Sequence, residues 1–191
     1  MRVALFFIFI GLIAISCQKQ KVQGKRYFDL DSLVNAQILY LSKTKASLKK
    51  EVIFTEKSSA STNILDSAAW SYELDVFRQL DLINRPIYFD VYQVKDGIKD
   101  SKSNLLVRSY EADGKSPVPY LRLFYQGTPS RIKKLEALYS ETNSLYSSQR
   151  KLEMYFDDAP GNPYLTGFFI EGEQKMIMSD SVHYTIRTEI Q

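Results

Sequence analysis

The sequence predicts an α+β domain in which two N-terminal amphipathic helices pack on one face of a curved antiparallel sheet of about six to seven strands in meander order. Three observations carry that expectation. Apolar residues recur at helical spacing in two segments between Tyr27 and Asn84. Beyond Pro86, segments rich in Val, Ile, Tyr and Phe alternate with turn signals. The connections between those segments are short, which leaves antiparallel neighbours and no crossover. A chain of 191 residues with 45% hydrophobic and 25% charged side chains has the composition of one ordinary globular domain, and this excludes disordered, collagenous and multi-span classes.

The first helix is placed by Leu30, Leu33, Val34, Ile38, Leu41 and Leu48, about five turns, with Asp29 or Asp31 positioned to cap its start. The second runs from about Ser67 to Asn84. Ala69, Trp70, Leu74, Phe77, Leu80 and Ile83 form its stripe, Asp66 caps it, and Arg85-Pro86 closes it. Between the two, residues 51–55 read as a short strand and the Ser-rich stretch that follows as loop. After Pro86, strands are expected near 87–94, 104–112, 118–126, 132–140, 145–156, 166–178 and 181–190. They are separated by turns at Asp96-Gly97, Asp113-Gly114, Gly127 to Pro129, Gly161 to Pro163 and Ser179-Asp180. The segment 132–140 also fits a helix, because Ile132, Leu135, Leu138 and Tyr139 fall at helical spacing. Two apolar helix stripes need a partner surface, and one face of the sheet supplies it.

Ahead of this domain, Arg2 precedes an uncharged apolar run over residues 3–15. At 1.5 Å per residue the run covers about 20 Å, short of the roughly 30 Å hydrocarbon core, so it suits the apolar region of a signal peptide. It ends in Ala14-Ile15-Ser16-Cys17, and Cys17 is the only cysteine. This ending resembles the lipobox of bacterial lipoproteins, with Ala14 where the best-known lipoboxes carry Leu. The resemblance covers the first 17 residues and implies that signal peptidase II, recognising Ala14, Ile15 and Ser16, cleaves before Cys17 and that Cys17 carries the lipid. An ordinary secretory signal cut after Ala14-Ile15-Ser16 is the other reading. Lipidation accounts for a lone cysteine at this position. At about 0.8 kcal/mol per buried methylene, two or three acyl chains hold a protein at a membrane durably. Residues 17–26, with Lys19, Lys21, Lys25 and Arg26 and no acid before Asp29, read as a flexible tether, and 27–191 as the single domain. Gln18, following the cysteine in place of Asp, implies through the same resemblance transfer to the periplasmic face of the outer membrane.

The residues that carry chemistry are few. One cysteine excludes an intrachain disulfide framework, a four-cysteine zinc site and CxxC redox motifs. The one histidine, His183, shares a strand face with Thr185, Arg187 and Glu189, opposite Val182, Tyr184, Ile186 and Ile190, which directs it to solvent or a groove. GxSxG, HExxH and GxGxxG are absent from the sequence, and Gly114-Lys115-Ser116 has Ser109 where a P-loop needs its first glycine, so it reads as a turn. Asp157-Asp158 is loop chemistry without EF-hand spacing, and Glu171 and Glu173 flank Gly172, a possible bulge, on one side of a strand. No cofactor and no metal site are expected. The formal charge of +3 gives no reason to expect nucleic acid.

Tyrosine is abundant, at 13 residues, and most fall in the strand half, where the ring suits either sheet packing or recognition of a glycan, a lipid or a protein. On a strand over 87–94, Tyr88 and Tyr92 share a face with Asp90 and point outward if Ile87, Phe89 and Val91 meet the helices. They are the expected binding face. The functional expectation is a membrane-anchored cell-envelope lipoprotein that binds an envelope protein, glycan or lipid without catalysis. A carrier or receptor for a hydrophobic ligand, whose architecture resembles the half-barrels of lipoprotein carriers, is a second expectation. A carboxylate-dependent hydrolase is a third.

Overall fold

The computed structural model describes residues 24–191 apart from 56, 160, 161 and 178. Ala14, Ile15, Ser16 and Cys17, and with them the signal peptide and the lipidation site, lie outside the described residues. Helix α1 (Leu30–Thr44) begins where the sequence places it, with the Asp29 carboxylate accepting from the Ser32 N–H at 3.0 Å. It ends a turn earlier than the apolar spacing suggests. Lys45 takes a left-handed conformation, φ 53°, and closes the helix, so Leu48 belongs to strand β1 (Ser47–Phe54). Helix α2 (Ser67–Arg78), capped by Asp66 on the Ala69 N–H, continues as a 3₁₀ turn over Gln79–Asn84, and together they cover the expected span.

Among the described residues the sheet has nine strands, two or more beyond the expectation. The addition is a hairpin, β1 with β2 (Lys57–Ile64), in the stretch read as a short strand and a loop. Every residue of β2 is exposed, so it has no apolar alternation to read. It is held by its antiparallel pairing, from Ser47↔Ile64 to Phe54↔Lys57. The remaining strands are β3 (Tyr92–Lys99), β4 (Leu106–Ala112), β5 (Tyr120–Tyr125), β6 (Ile132–Thr142), β7 (Tyr146–Ala159), β8 (Asn162–Met176) and β9 (Val182–Ile190). Segment 132–142 is thus strand, with Ile132, Leu135, Ala137 and Tyr139 buried and Lys133 and Lys134 facing outward. The spatial order is β2-β1-β9-β8-β7-β6-β5-β4-β3, antiparallel at every pairing, so the expected meander runs unbroken from β3 to β9 and then meets β1.

Side-chain parity gives the sheet two distinct faces. One register row crosses it as Val94, Tyr110, Leu121, Ala137, Leu152, Ile170, Ile186 and Val52. This face meets the helices: Phe77 packs edge-on against Phe168, ring centroids 5.5 Å apart, and Trp70, Leu74 and Phe77 are fully buried. The next row, on the opposite face, is polar apart from Phe169 and runs Ser109, Arg122, Glu136, Glu153, Phe169, Arg187 and Glu51. There Lys134 and Lys151 reach Glu153 at 3.2 and 2.8 Å, and Arg122 reaches Glu111 at 2.8 Å. Burial alone would raise the Glu153 carboxyl, but hydrogen bonds from Lys151, Tyr155 and Lys134 hold it below the usual carboxylate range.

The segment 87–94 departs from the expected strand. Pro86 starts a 3₁₀ turn over Pro86–Tyr88, and Asp90 adopts φ +68°, so the strand begins at Tyr92 with its parity reset. Ile87, expected inside, is 76% exposed, while Tyr92, expected outside, is buried and Tyr88 is half-buried against the core. Tyr88 and Tyr92 therefore do not form an outward face with Asp90. Gly172 introduces no bulge. The ring of Tyr184 lies over it, and the register shift of β8 falls instead at Thr166, opposite Tyr155 and Phe156.

Candidate functional site

Three aromatic rings from distant parts of the chain meet at the β3 end of the helix-side face. Tyr27, just ahead of α1, packs edge-on against Tyr92 of β3 and Tyr110 of β4, with centroids 5.3 and 5.8 Å away. The Tyr92 hydroxyl is 2.6 Å from Ser116 Oγ and donates to the Val118 carbonyl at 2.9 Å, and burial pushes its pKa up to about 12. Ser116, in the connection between β4 and β5, thus fixes a ring of this cluster. Above the rings lies an open groove of about 590 Å³ lined by Arg26, Tyr27, Phe28, Asp90, Tyr92, Val94, Asp96, Arg108 and Tyr110.

Its charged walls are paired. Arg26 binds Asp90 and lies over the Phe89 ring, and Arg108 binds Asp96, which also accepts from the Tyr125 hydroxyl at 2.8 Å. The Arg108 guanidinium, with help from Tyr125, holds the Asp96 carboxyl at about 2. Asp96 is therefore ionised throughout the ordinary pH range and serves as a hydrogen-bond acceptor, the opposite of a general acid. Paired guanidinium and carboxylate walls over an aromatic floor suit recognition of a ligand with both polar groups and apolar edges.

Of the two expected binding residues, Tyr92 reaches this groove, as a buried floor, and Tyr88 does not line it. Tyr27, Arg26, Arg108 and Asp96 were missed. Arg108 carried a readable signal, since its strand parity puts it on the apolar face beside Tyr110. Tyr27 carried none, because its partners lie far along the chain.

Lys25 sits among Asp29, Asp31 and Asp81 at 2.7, 2.8 and 2.8 Å, and three oxygens of those acids come within 4.8 Å of one another. This is a spacing that suits a cation, and the Lys25 ammonium supplies one. Desolvation would lower the Lys25 pKa, but the hydrogen bonds its ammonium donates to the three carboxylates outweigh it and raise it well above the ordinary value. The other acids singled out in the sequence lie apart from the groove. Asp157 and Asp158 are met by Lys133 at 3.2 and 3.0 Å, and Asp158 also by Arg131 at 2.8 Å, while Glu171 and Glu173 are exposed on β8. His183 is exposed as expected, 3.8 Å from Glu173. Among the described residues, no helix is long and apolar enough to cross a membrane. Comparison with protein-family models, with curated proteins and with solved structures returned no match.

Proposed function

We propose that this chain is a lipid-anchored cell-envelope protein that acts as a non-catalytic binding module, with the Tyr27–Tyr92–Tyr110 groove as its ligand site. The observation that carries this reading is the wall contributed by Arg26, Tyr27 and Phe28, the residues where the expected tether enters the domain. A site assembled partly from that segment faces whatever lies beside the attachment point: an envelope protein, a glycan or a lipid. The lipobox-like Ala14-Ile15-Ser16-Cys17 supports the anchor. Two features weigh against a hydrolase at this groove, since Asp90 and Asp96 are each locked by an arginine and Asp96 is held far below a proton donor's range. The carrier reading needs a cavity at Trp70 and Phe77, and both are fully enclosed by core side chains.

Two measurements in the producing cells test the proposal. Palmitate labelling is expected to vanish in Cys17→Ser, and labelling that persists there overturns the anchor. A photo-crosslinking amino acid at Val94, half-exposed in the groove, is expected to capture an envelope component that the same group at Ser61 on β2 does not, with capture lost in Arg108→Ala. Identical products from positions 94 and 61 overturn the binding site.

A further inference from the structure

The segment Lys25–Phe28 does more than enter the domain, because it is fastened along the chain from Asp81 to Asp90. Lys25 pairs with Asp81, and the Tyr27 N–H donates to Asn84 Oδ1 at 2.8 Å. Asn84 Nδ2 donates to the Phe28 carbonyl at 2.9 Å, and Arg26 pairs with Asp90 beside Phe89. Between these fastenings the turn Arg85-Pro86-Ile87 projects outward. All three residues are exposed, Ile87 most fully among apolar groups near the fastening at 76%. The turn has a fixed shape, since the Tyr88 and Phe89 N–H groups donate to the Arg85 and Pro86 carbonyls at 2.9 and 3.2 Å.

Resting on the reading that Cys17 is lipidated, we propose that this turn is a second membrane contact, with Ile87 seated at the headgroup–acyl boundary and Arg85 among lipid phosphates. The chain from Cys17 to Lys25 reaches at most about 28 Å when fully extended, so the edge of the domain that holds Lys25 stays close to the bilayer. Ile87 is the exposed apolar side chain on the turn that this edge carries. Among the described residues Arg85 has no ion-pair partner, which leaves its charge available for an anionic surface. Arg85 and Lys25 share a groove with Tyr139 of β6, and β2, an edge of the sheet, lies five strand intervals from β6, roughly 24 Å along the sheet at about 4.8 Å each.

Lipidation occupies the chain's one cysteine, so Ile87→Cys and Ser61→Cys each introduce a single free thiol for an environment-sensitive fluorophore. The full lipidated protein is reconstituted into phosphatidylethanolamine–phosphatidylglycerol vesicles carrying a shallow doxyl quencher. The label at 87 is expected to shift to the blue and to be quenched at least about twofold more than the label at 61, as for a side chain roughly 5–10 Å into the interface. Flotation of the vesicles reports the anchor separately. Protein that fails to float overturns the lipid anchor and the second contact with it; floated protein quenched equally at 87 and 61 overturns the second contact alone.

Discussion

Gln37 performs with its side chain the task of a missing neighbouring strand. β8 pairs with β9 only from Phe169 to Gln174, which leaves its first half without a backbone partner on that side. Gln37, buried on α1, donates to the Pro163 carbonyl at 3.0 Å and accepts from the Leu165 N–H at 2.8 Å. A little further along, Thr188 Oγ1 donates to the Phe168 carbonyl at 2.9 Å and accepts from the Phe168 N–H at 2.7 Å. Gln37→Leu leaves a backbone donor and a backbone acceptor unpaired at about 1–3 kcal/mol apiece, so we expect a loss of about 2–6 kcal/mol, read as a lower urea midpoint with unchanged slope. The second prediction at this scale concerns Asp96. Its carboxyl is depressed in the folded state, so its contribution to stability is present above the ordinary carboxylate range and lost as pH falls from about 4 towards about 2. The pair with Arg108 is partly exposed, and salt weakens it. Asp96→Asn should lower the unfolding midpoint at pH 7, and the difference from the parent should shrink near pH 2. A gap that is constant with pH would show that Asp96 contributes through packing.

Two glycines of one strand separate backbone constraint from side-chain constraint. A β-carbon on Gly167 would lie 2.5 Å from the Thr188 carbonyl oxygen, where β8 and β9 cross backbone to backbone. On Gly172 it would lie 2.2 Å from the far end of the Tyr184 ring, a side chain that can turn about its own bonds where a backbone carbonyl cannot. Gly167→Ala should therefore cost about 3 kcal/mol and Gly172→Ala about 1 kcal/mol, measured as thermal unfolding midpoints of the two variants, and the reverse order would show that the β8–β9 crossing yields more readily than the ring. Elements with a packed face were the legible ones. Asp66 announced the second helix start and the pair Asp29 and Asp31 the first, with Asp29 the cap, and apolar alternation announced the strands from β4 to β9 except β6, whose spacing also fitted a helix. β2 was illegible because it buries nothing, and the 87–92 segment because Asp90's left-handed backbone reset a parity that the residue pattern continued without a break.

At the scale of the molecule, the meander was readable because each of its steps joins chain neighbours across a short turn. The groove was readable only in part. Tyr92 belonged to a noticed group of tyrosines, but the meeting of Tyr27, Tyr92 and Tyr110 depends on helices and sheet docking together, which periodicity does not encode. The same limit hid the placement of β1, which has no sequence neighbour in its final position except β2. That placement bears on the order in which the protein is made. The Ser47 and Gln191 backbones exchange hydrogen bonds of 2.7 and 3.0 Å, closing β1 onto the strand synthesised last among those of the sheet. Until β9 has emerged, β1 and β2 are a lone hairpin, marginal in water, and the apolar side of the helices has an incomplete cover. Completion of the sheet thus waits for the last strand in chain order, and until it arrives topology alone withholds from β1 the partner that joins it to the meander.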